Sequence, residues 1–174
     1  MNIFYLHKNA DQCAKMHCDK HVVKMILESA QLLCTAHRVC DGDDYCDEFN
    51  LYKKTHHNHP SAVWVRKSED NYRWLLELFF FLLLEYFARY EKIHKCTEMY
   101  DLLIKVPDNI GSEKFTCPPQ CMPDEYKHKN TIIAYREYYN VEKSRFAKWN
   151  YSEVPNWFNP IKEVKYVIKR IIWR

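Results

Sequence analysis

The chain has 174 residues, of which 47% are apolar and 16% are aromatic, so it is long enough to form one domain with a substantial core. Only two glycines occur, which argues against a hairpin-rich all-β fold, a Walker phosphate loop and a dinucleotide-binding glycine fingerprint. The formal net charge of +3 is compatible with an anionic ligand, but a protein that binds nucleic acid by charge alone is usually more basic.

The eight cysteines predict reduced thiols, mostly buried as small apolar side chains, rather than a secreted disulfide scaffold. Residues 1–8 contain no basic segment followed by a long apolar stretch, so no secretory signal is visible. The densest apolar run, Leu78 to Leu84, is much shorter than the roughly 18 residues of a membrane span. We therefore expect no membrane partner and a cytoplasmic location.

The first forty residues predict an arm followed by two helices. Residues 1–6 suit a short strand or an extended arm packed on the core, and Asn9 with Gln12 resembles a capping box for a helix over 10–16. Asp19 is the expected N-cap of the next helix, and Gly42 its expected end. Between them, apolar residues recur at helical spacing: Val22, Val23, Ile26, Leu27, Ala30 and Leu33.

A buried central helix is predicted in the middle of the chain. Pro60 suits the first turn of a short helix, which places His59 at the mouth of that helix. Ser68 with Asn71 is expected to begin a long helix that continues to about His94, and Thr97 to cap another one. The stretch 74–90 is apolar nearly all round, which is typical of a buried helix. The aromatic residues assigned to the core are Trp74, Phe79, Phe80, Phe81 and Phe87.

The last third predicts a long loop and two more helical segments. Residues 106–124 hold four of the seven prolines and predict a long ordered loop, which in compact domains often covers a functional site. Residues 130–140 predict a helix, and 160–174 predict a basic amphipathic one. The predicted fold is all-α: a compact single-domain helical bundle (1–159) around the aromatic-rich central helix, with a long proline-containing loop and a C-terminal appendage (160–174).

A polar stripe on the second predicted helix is the best candidate working surface. His17, His21, Lys24 and Glu28 follow one another at steps of four, three and four residues, so they share one helix face. One interpretation is a solvated face with an ordinary Lys–Glu pair. The other is a catalytic site, because histidines and a carboxylate transfer protons near neutral pH and Asp19 could orient a histidine.

Three histidines between positions 56 and 59 form a second candidate cluster. His56, His57 and His59 precede a predicted helix, where phosphate or sugar contact is favoured over zinc binding. No cysteine pair has the tight Cys-x-x-Cys spacing of strong zinc modules, so we predict no metal and no cofactor. The cysteines that could have completed a zinc site are Cys117 with Cys121, or Cys13 with Cys18.

Rings and cations alternate in a third candidate region near the C-terminus. Such a run suits stacking on a nucleic-acid strand or on an extruded base, although core packing of the rings explains the pattern equally well. Its members are Tyr135, Arg136, Tyr138, Tyr139, Lys143, Arg145, Lys148 and Trp149.

The segment from Asp19 to Glu28 resembles the first helix of the phage T4-type pyrimidine dimer DNA glycosylases, which carries the same Asp-x-His-x₆-Glu arrangement. His59 before a long aromatic-rich helix and the tyrosine-rich segment 135–149 are also similar to that family. The chain as a whole is further similar to proteins of tailed phages and large DNA viruses.

The resemblance implies a compact all-α enzyme that uses an N-terminal α-amine as nucleophile and basic side chains to hold a kinked duplex. It implies that Glu28 is the catalytic acid/base and that His21 contacts sugar or phosphate. The implied reaction forms a Schiff base at a deoxyribose, releases the base and then cleaves the strand.

Two departures from the family pattern affect the nucleophile and the DNA contacts. The large Asn2 predicts that Met1 is retained, so the amine candidates are the α-amine of Met1 and Lys24. The arginines that the family has beside its glutamate and one turn later are replaced here by Leu27 and Gln31.

The leading prediction is a nucleic-acid or nucleotide enzyme of the glycosylase type, with Glu28, His21, Lys24 and Met1 as catalytic candidates. The alternatives are a non-catalytic protein that sequesters a nucleotide or DNA, such as a host defence signal, and an interaction module that docks through residues 160–174. The sequence leaves open whether the chain forms a homo-oligomer. The predicted ligand contacts are His17, Asp19, Lys20, His56, His57, His59, Tyr135, Arg136, Tyr139, Lys143, Arg145, Lys148 and Trp149.

Overall fold

The computed structural model describes residues 1–160, so the amphipathic helix predicted over 160–174 lies, except for its first residue, outside the described residues. Within 1–160 the chain is all-α, as predicted, and its only β-type pairing there is an isolated bridge between Ser68 and Ser112. The helices are α1 (Ala10–Lys15), α2 (Asp19–Cys40), α3 (Asp44–Glu48), α4 (Pro60–Arg66), α5 (Glu69–Tyr90), α6 (Tyr100–Leu103) and α7 (Thr131–Tyr138), with 3₁₀ turns at Lys95–Met99 and Asp124–Tyr126 and a π-turn at Tyr139–Lys143.

Side-chain caps begin several of the helices, two of them at residues that the sequence predicted as caps, Asn9 and Ser68. The side chains of Asn9, Ser68 and Asn130 accept hydrogen bonds from the first-turn amides of α1, α5 and α7. His59 caps α4, with Pro60 as the first helical residue. The N-cap prediction for Asp19 is wrong: it is the first residue of α2, and its carboxylate bonds elsewhere.

The core forms where α5 packs against α1, α2 and α4. Burial of one side of α5 confirms it as the central helix, and Trp74 and Phe79 lie in the core. The prediction that Phe87 lies in the core is wrong, since 57% of it is exposed near the end of α5. The helix also ends earlier than expected, at Tyr90, because Glu91 adopts a left-handed conformation with φ 53°. His94, rather than Thr97, caps the turn that follows.

The N-terminal arm is extended and unpaired with any strand of the described residues. Residues 3–6 are nevertheless buried, and Leu6 is fully so. Two long-range hydrogen bonds fix the arm: Arg136 Nε donates to the carbonyl of Leu6 (3.0 Å), and Trp74 Nε1 donates to the carbonyl of Lys8 (2.9 Å). The arm is therefore part of the core rather than a loose end.

The long loop of residues 104–123 is ordered by contacts with the α4–α5 corner. Trp64 Nε1 donates to the carbonyl of Thr116 (3.1 Å), and the amide of Thr116 donates to Asn71 Oδ1 (3.0 Å). At Gly111 the loop passes so close to α4 that a Cβ atom would lie 2.2 Å from the carbonyl oxygen of Lys67. The glycine thus permits the close approach that holds the loop on the body of the protein.

A buried arginine joins the start of α2 to the end of α5. The side chain of Arg89 is 1% exposed and pairs with Asp19 (3.1 Å) and Glu85 (2.8 Å). Its guanidinium also donates to the carbonyls of Lys15 and His17. The other oxygen of Asp19 accepts from the amide of Asn150 (2.8 Å), so three parts of the chain meet at this cluster.

None of the helices in residues 1–160 combines the length and the apolar character needed to cross a bilayer.

Replacing Arg89 with methionine is expected to lower the free energy of unfolding by about 3–5 kcal/mol, because Asp19 and Glu85 lose the cation that compensates their burial. Urea unfolding of the variant and the wild type measures the change.

The matched control is Arg73→Met, which removes a similar arginine from a pair on the exposed side of α5. That change is expected to cost less than about 0.5 kcal/mol. Equal losses in the two variants would contradict the structural role of Arg89.

Candidate functional site

A cavity of about 620 Å³ lies between the N-terminal arm, the first half of α2 and the segment that follows α7. Eight of the seventeen predicted site residues line it: Met1, Lys20, His21, Lys24, Glu28, His59, Lys143 and Arg145. Five further residues complete the lining: Asn2, Phe4, Met25, Cys121 and Phe146.

Helix geometry explains how two distant segments reach the same cavity. The lining residues of α2 recur at steps of three and four, so they share the helix face that the arm covers. After α7 the backbone widens into the π-turn Tyr139–Lys143, a local irregularity that is frequent at functional sites. The turn buries Tyr139 completely and places Lys143 on the cavity wall.

Glu28 is held by an ion pair on one carboxylate oxygen and by a hydrogen bond on the other. Lys24 Nζ lies 3.3 Å from Oε1, and the backbone amide of Asn2 donates to Oε2 (3.0 Å). The carboxylate is largely enclosed, with 14% of the Glu28 side chain exposed, whereas Lys24 is 65% exposed. The arrangement places an acid/base group and an amine next to each other.

Asn2 positions the arm against Glu28. Its side-chain amide donates to the carbonyl of Cys121 (3.0 Å), and its Oδ1 lies 2.7 Å from the hydroxyl of Tyr135. That hydroxyl is also 2.6 Å from the carbonyl of Pro119. The long loop and α7 therefore fix the residue that contacts the carboxylate.

The cavity is electropositive. Four lysine and arginine side chains line it, and Glu28 is the only acidic residue among the described residues of the lining. Two of these cations make cation–π contacts with Phe146: Lys20 Nζ lies 5.5 Å and the Arg145 guanidinium 5.9 Å from its ring centroid. The excess of cations favours an anionic ligand such as a phosphate.

His21 is buried and neutral. Its ring stacks on Phe4 at a centroid distance of 4.3 Å, and its Nδ1 lies 2.5 Å from the hydroxyl of Tyr139. Burial, followed by the charges of His17, Lys143 and Lys24, lowers the pKa of His21 to about 2. A group with so low a pKa does not exchange protons near neutral pH, so the geometry suits ligand contact better than the expected proton transfer.

His59 is also biased towards its neutral form. Burial and the nearby α-amine lower the pKa of His59 below its ordinary value. Its Nδ1 accepts a hydrogen bond from the amide of Ser61 (3.2 Å), as befits a helix N-cap. Among the described lining residues, Glu28 is therefore the group best suited to move protons.

The structure corrects the expected positions of several predicted ligand contacts. His17, Asp19, Tyr135, Tyr139 and Trp149 are buried in the core, because the arm and the C-terminal segment cover the helix faces that carry them. The wholly solvated stripe is wrong for the same reason, since His17 and His21 are both buried.

The remaining predicted contacts lie at the surface or at its edge. Arg136 is half-buried, where it donates to the carbonyl of Leu6 and stacks on Trp157. His56, His57 and Lys148 are exposed and do not line the cavity, so the triple-histidine turn contributes only His59.

No metal-binding arrangement occurs in residues 1–160, where no three His, Cys, Asp or Glu side chains converge as ligands. All eight cysteines are free. Cys13 and Cys18 are buried, as expected for small apolar residues, while Cys117 is exposed and Cys121 lies on the cavity wall.

The sequence pattern does not predict five of the lining residues. Phe146 lies inside the predicted ring-and-cation run, and the alternation there was the one signal that could have identified it. Asn2, Phe4, Met25 and Cys121 carry no local pattern that distinguishes a cavity wall from ordinary packing. Their role depends on contacts between distant parts of the chain.

The chain matches no family model, no curated protein and no solved structure. The likeness to the pyrimidine dimer glycosylases therefore stays a prediction drawn from the residues themselves.

Acid is expected to destabilise the fold through His17, which is fully buried and whose Nδ1 donates to the carbonyl of Cys13 (2.7 Å). Burial lowers the pKa of His17 to about 4, so the native form stays neutral while the unfolded chain binds a proton below its ordinary value of 6.5. The contribution to stability is complete above pH 6.5 and is lost as the pH falls towards 4, by about 3 kcal/mol.

Urea unfolding at a series of pH values between 7 and 4 measures this loss. In His17→Gln the loss is expected to shrink by the histidine's share, whereas the exposed control His57→Gln keeps the wild-type slope. A His17→Gln variant with an unchanged slope would refute the assignment.

Proposed function

We propose that the protein is a nucleic-acid or nucleotide enzyme of the pyrimidine dimer glycosylase type, which acts at a deoxyribose with Glu28 as its general acid/base. The observation that carries the proposal is the adjacency of the Glu28 carboxylate and the Lys24 amine, 3.3 Å apart, in a cavity rich in cations. The Asp-x-His-x₆-Glu spacing on α2 supports the same reading.

The proposed reaction needs an amine nucleophile, and two amines line the cavity. Lys24 can pass a proton to Glu28 and then attack the sugar carbon C1′, so that the base leaves with the electron pair of the broken bond. The α-amine of Met1 is the other candidate. The other nitrogen bonded to the Glu28 carboxylate is the backbone amide of Asn2, which is a peptide nitrogen and therefore not a nucleophile.

Glu28 then has a second task in the proposed reaction. The attacking nitrogen loses a proton to the departing base, and Glu28 returns its own proton to O4′ as the C1′–O4′ bond breaks, which opens the sugar to a protonated imine. As a carboxylate again, Glu28 removes a proton from C2′, and the 3′-phosphate leaves with the electron pair of its C–O bond. The phosphate that leaves is an anion, which Lys20, Lys143 and Arg145 are suited to bind.

The dimensions of the cavity support a small unit as its occupant. A volume of about 620 Å³ falls within the range of typical ligand pockets, which suits one nucleotide taken out of a helix rather than the duplex itself. Phe146 and the cations beside it lie at the wall, where an extruded base or its phosphate would enter.

Borohydride trapping on a duplex with an abasic site tests the proposal. The wild type is expected to form a covalent adduct that survives denaturation, and Glu28→Gln to form it about 100-fold more slowly because the proton-transfer group is lost. Mass spectrometry of the adduct identifies the amine as that of Lys24 or Met1.

Glu77→Gln is the matched control, because Glu77 is an exposed glutamate on α5 and does not line the cavity. It is expected to trap DNA like the wild type. The proposal is refuted if the wild type gives no adduct with abasic or dimer-containing DNA, or if Glu28→Gln traps as fast as the wild type.

A second candidate function is sequestration of a phosphate-bearing ligand without reaction. The observation that favours it is the lining itself: four cations surround one carboxylate that Lys24 and Asn2 already engage. Such a cavity can hold a phosphate even if Glu28 moves no proton. A sequestering protein would release its nucleotide unchanged after denaturation.

Both candidates require the cations, so the double change Lys143→Gln with Arg145→Gln is expected to weaken binding of abasic DNA or a nucleotide by about tenfold or more, as two charged hydrogen-bond donors are lost. Fluorescence anisotropy or calorimetry measures the affinity. The control pair, Lys54→Gln with Lys129→Gln, removes two exposed lysines outside the cavity and is expected to bind normally. Equal losses for both pairs would indicate non-specific charge attraction.

A further inference from the structure

We propose that Tyr139 is a positioning residue that fixes the imidazole of His21 as the Nε2–H tautomer, so that the cavity contains a neutral hydrogen-bond donor for an oxygen of the ligand. The part of this inference that concerns the ligand rests on the proposed function. The part that concerns the tautomer rests on geometry alone.

The first observation is the set of partners around the Tyr139 hydroxyl, which is completely buried. The hydroxyl accepts a hydrogen bond from the backbone amide of Cys18 (3.2 Å). It lies 2.5 Å from Nδ1 of His21 and 3.5 Å from the sulfur of Cys18. Since a phenol has one proton, it can donate to one of these two acceptors only.

The hydroxyl donates its proton to the imidazole nitrogen Nδ1 and not to the sulfur. It is a far better acceptor than a thiol sulfur, and its contact is shorter by a wide margin. Burial also raises the pKa of Tyr139 well above its ordinary value, so the phenol keeps the proton that it donates. Because Nδ1 of the neutral ring accepts, the ring proton must reside on Nε2.

Ring packing prevents His21 from exchanging its two nitrogens by a flip. Phe4 stacks on one face at 4.3 Å, and Phe146 meets the ring edge-on at 5.4 Å. His21 lines the cavity, and within residues 1–160 no protein group bonds to its Nε2. The free N–H is therefore the polar atom that His21 can offer to a ligand.

This arrangement divides the chemistry of the site. Glu28 is left to move protons, while His21 donates a hydrogen bond without adding another charge to a cavity that already has four cations. Histidines that bind metals are oriented in the same way, by a partner that bonds to the other ring nitrogen and so fixes the tautomer. The acceptor would be a sugar or phosphate oxygen.

Nitrogen NMR of the uniformly ¹⁵N-labelled protein near neutral pH tests the tautomer directly. The expected result is a pyridine-like Nδ1 and a pyrrole-like, protonated Nε2 for His21. A protonated Nδ1 in the wild type would overturn the inference without any variant.

Tyr139→Phe tests the cause. Without the phenol proton, the two nitrogen shifts of His21 are expected to move towards each other as both tautomers become populated. Cys18→Ala is the matched control, since it removes the competing sulfur and should leave both shifts in place. Unchanged shifts in a folded Tyr139→Phe protein would overturn the role of Tyr139.

Two changes at His21 itself test the donor role, and they hold even if Tyr139→Phe fails to fold. A glutamine amide can place its N–H near the position of Nε2, whereas the shorter asparagine places it near Nδ1. With abasic DNA as the probe, His21→Gln is expected to bind within about threefold of the wild type and His21→Asn about tenfold more weakly.

Equal binding by the two variants would overturn the donor role. A wild type that neither binds nor traps the abasic duplex would overturn the proposed function and the ligand contact together. The nitrogen shifts would still decide the tautomer, so the two failures are distinguishable.

Discussion

The buried guanidinium of Arg89 fixes the frame on which the site is built. It pairs with the carboxylates of Asp19 and Glu85 and donates hydrogen bonds to two carbonyls of the α1–α2 turn. These contacts hold the start of α2 against the end of α5. Asp19 then extends the connection to the amide of Asn150. Because the cavity lies on the first half of α2, the same contacts fix the position of the helix face that lines it. An uncompensated charge in the same place would be costly, which makes the cluster sensitive to the loss of any member.

Two distant segments turn one face of α2 into a cavity. The N-terminal arm brings Asn2 to the carboxylate of Glu28, and the π-turn after α7 brings Tyr139 to the imidazole of His21. Each contact joins residues separated by many positions in the chain, so neither exists in an isolated helix. The consequence is a graded exposure: His21 is buried and neutral, Glu28 is largely enclosed, and Lys24 extends into solvent beside it. Because burial disfavours the charged form of a group, one short stretch of helix offers groups of different charge and acidity.

The electrostatics of the cavity narrow the chemistry that it can support. Four cations attract a phosphate. Burial, and after it the charges of His17, Lys143 and Lys24, disfavours protonation of His21, so the one carboxylate of the described lining is the group best suited to carry protons. A glycosylase with an amine nucleophile and a sequestering protein would both use these cations. They differ in whether the amine beside Glu28 forms a bond to the sugar, which is a difference of reactivity rather than of shape.

The sequence by itself determined the helices, since apolar periodicity and the caps Asn9, Ser68 and Asn130 act within a few residues of the chain. It also placed Lys24 and Glu28 on one face by spacing alone. Tertiary structure decided which parts of that face are covered. Periodicity indicates which helix face a side chain is on but not how deeply that face is buried. It could not reveal that His17 lies in the core, that the amide of Asn2 bonds to Glu28 or that Phe87 is exposed. Those outcomes follow from contacts between residues far apart in the chain, and only the folded packing brings such residues together.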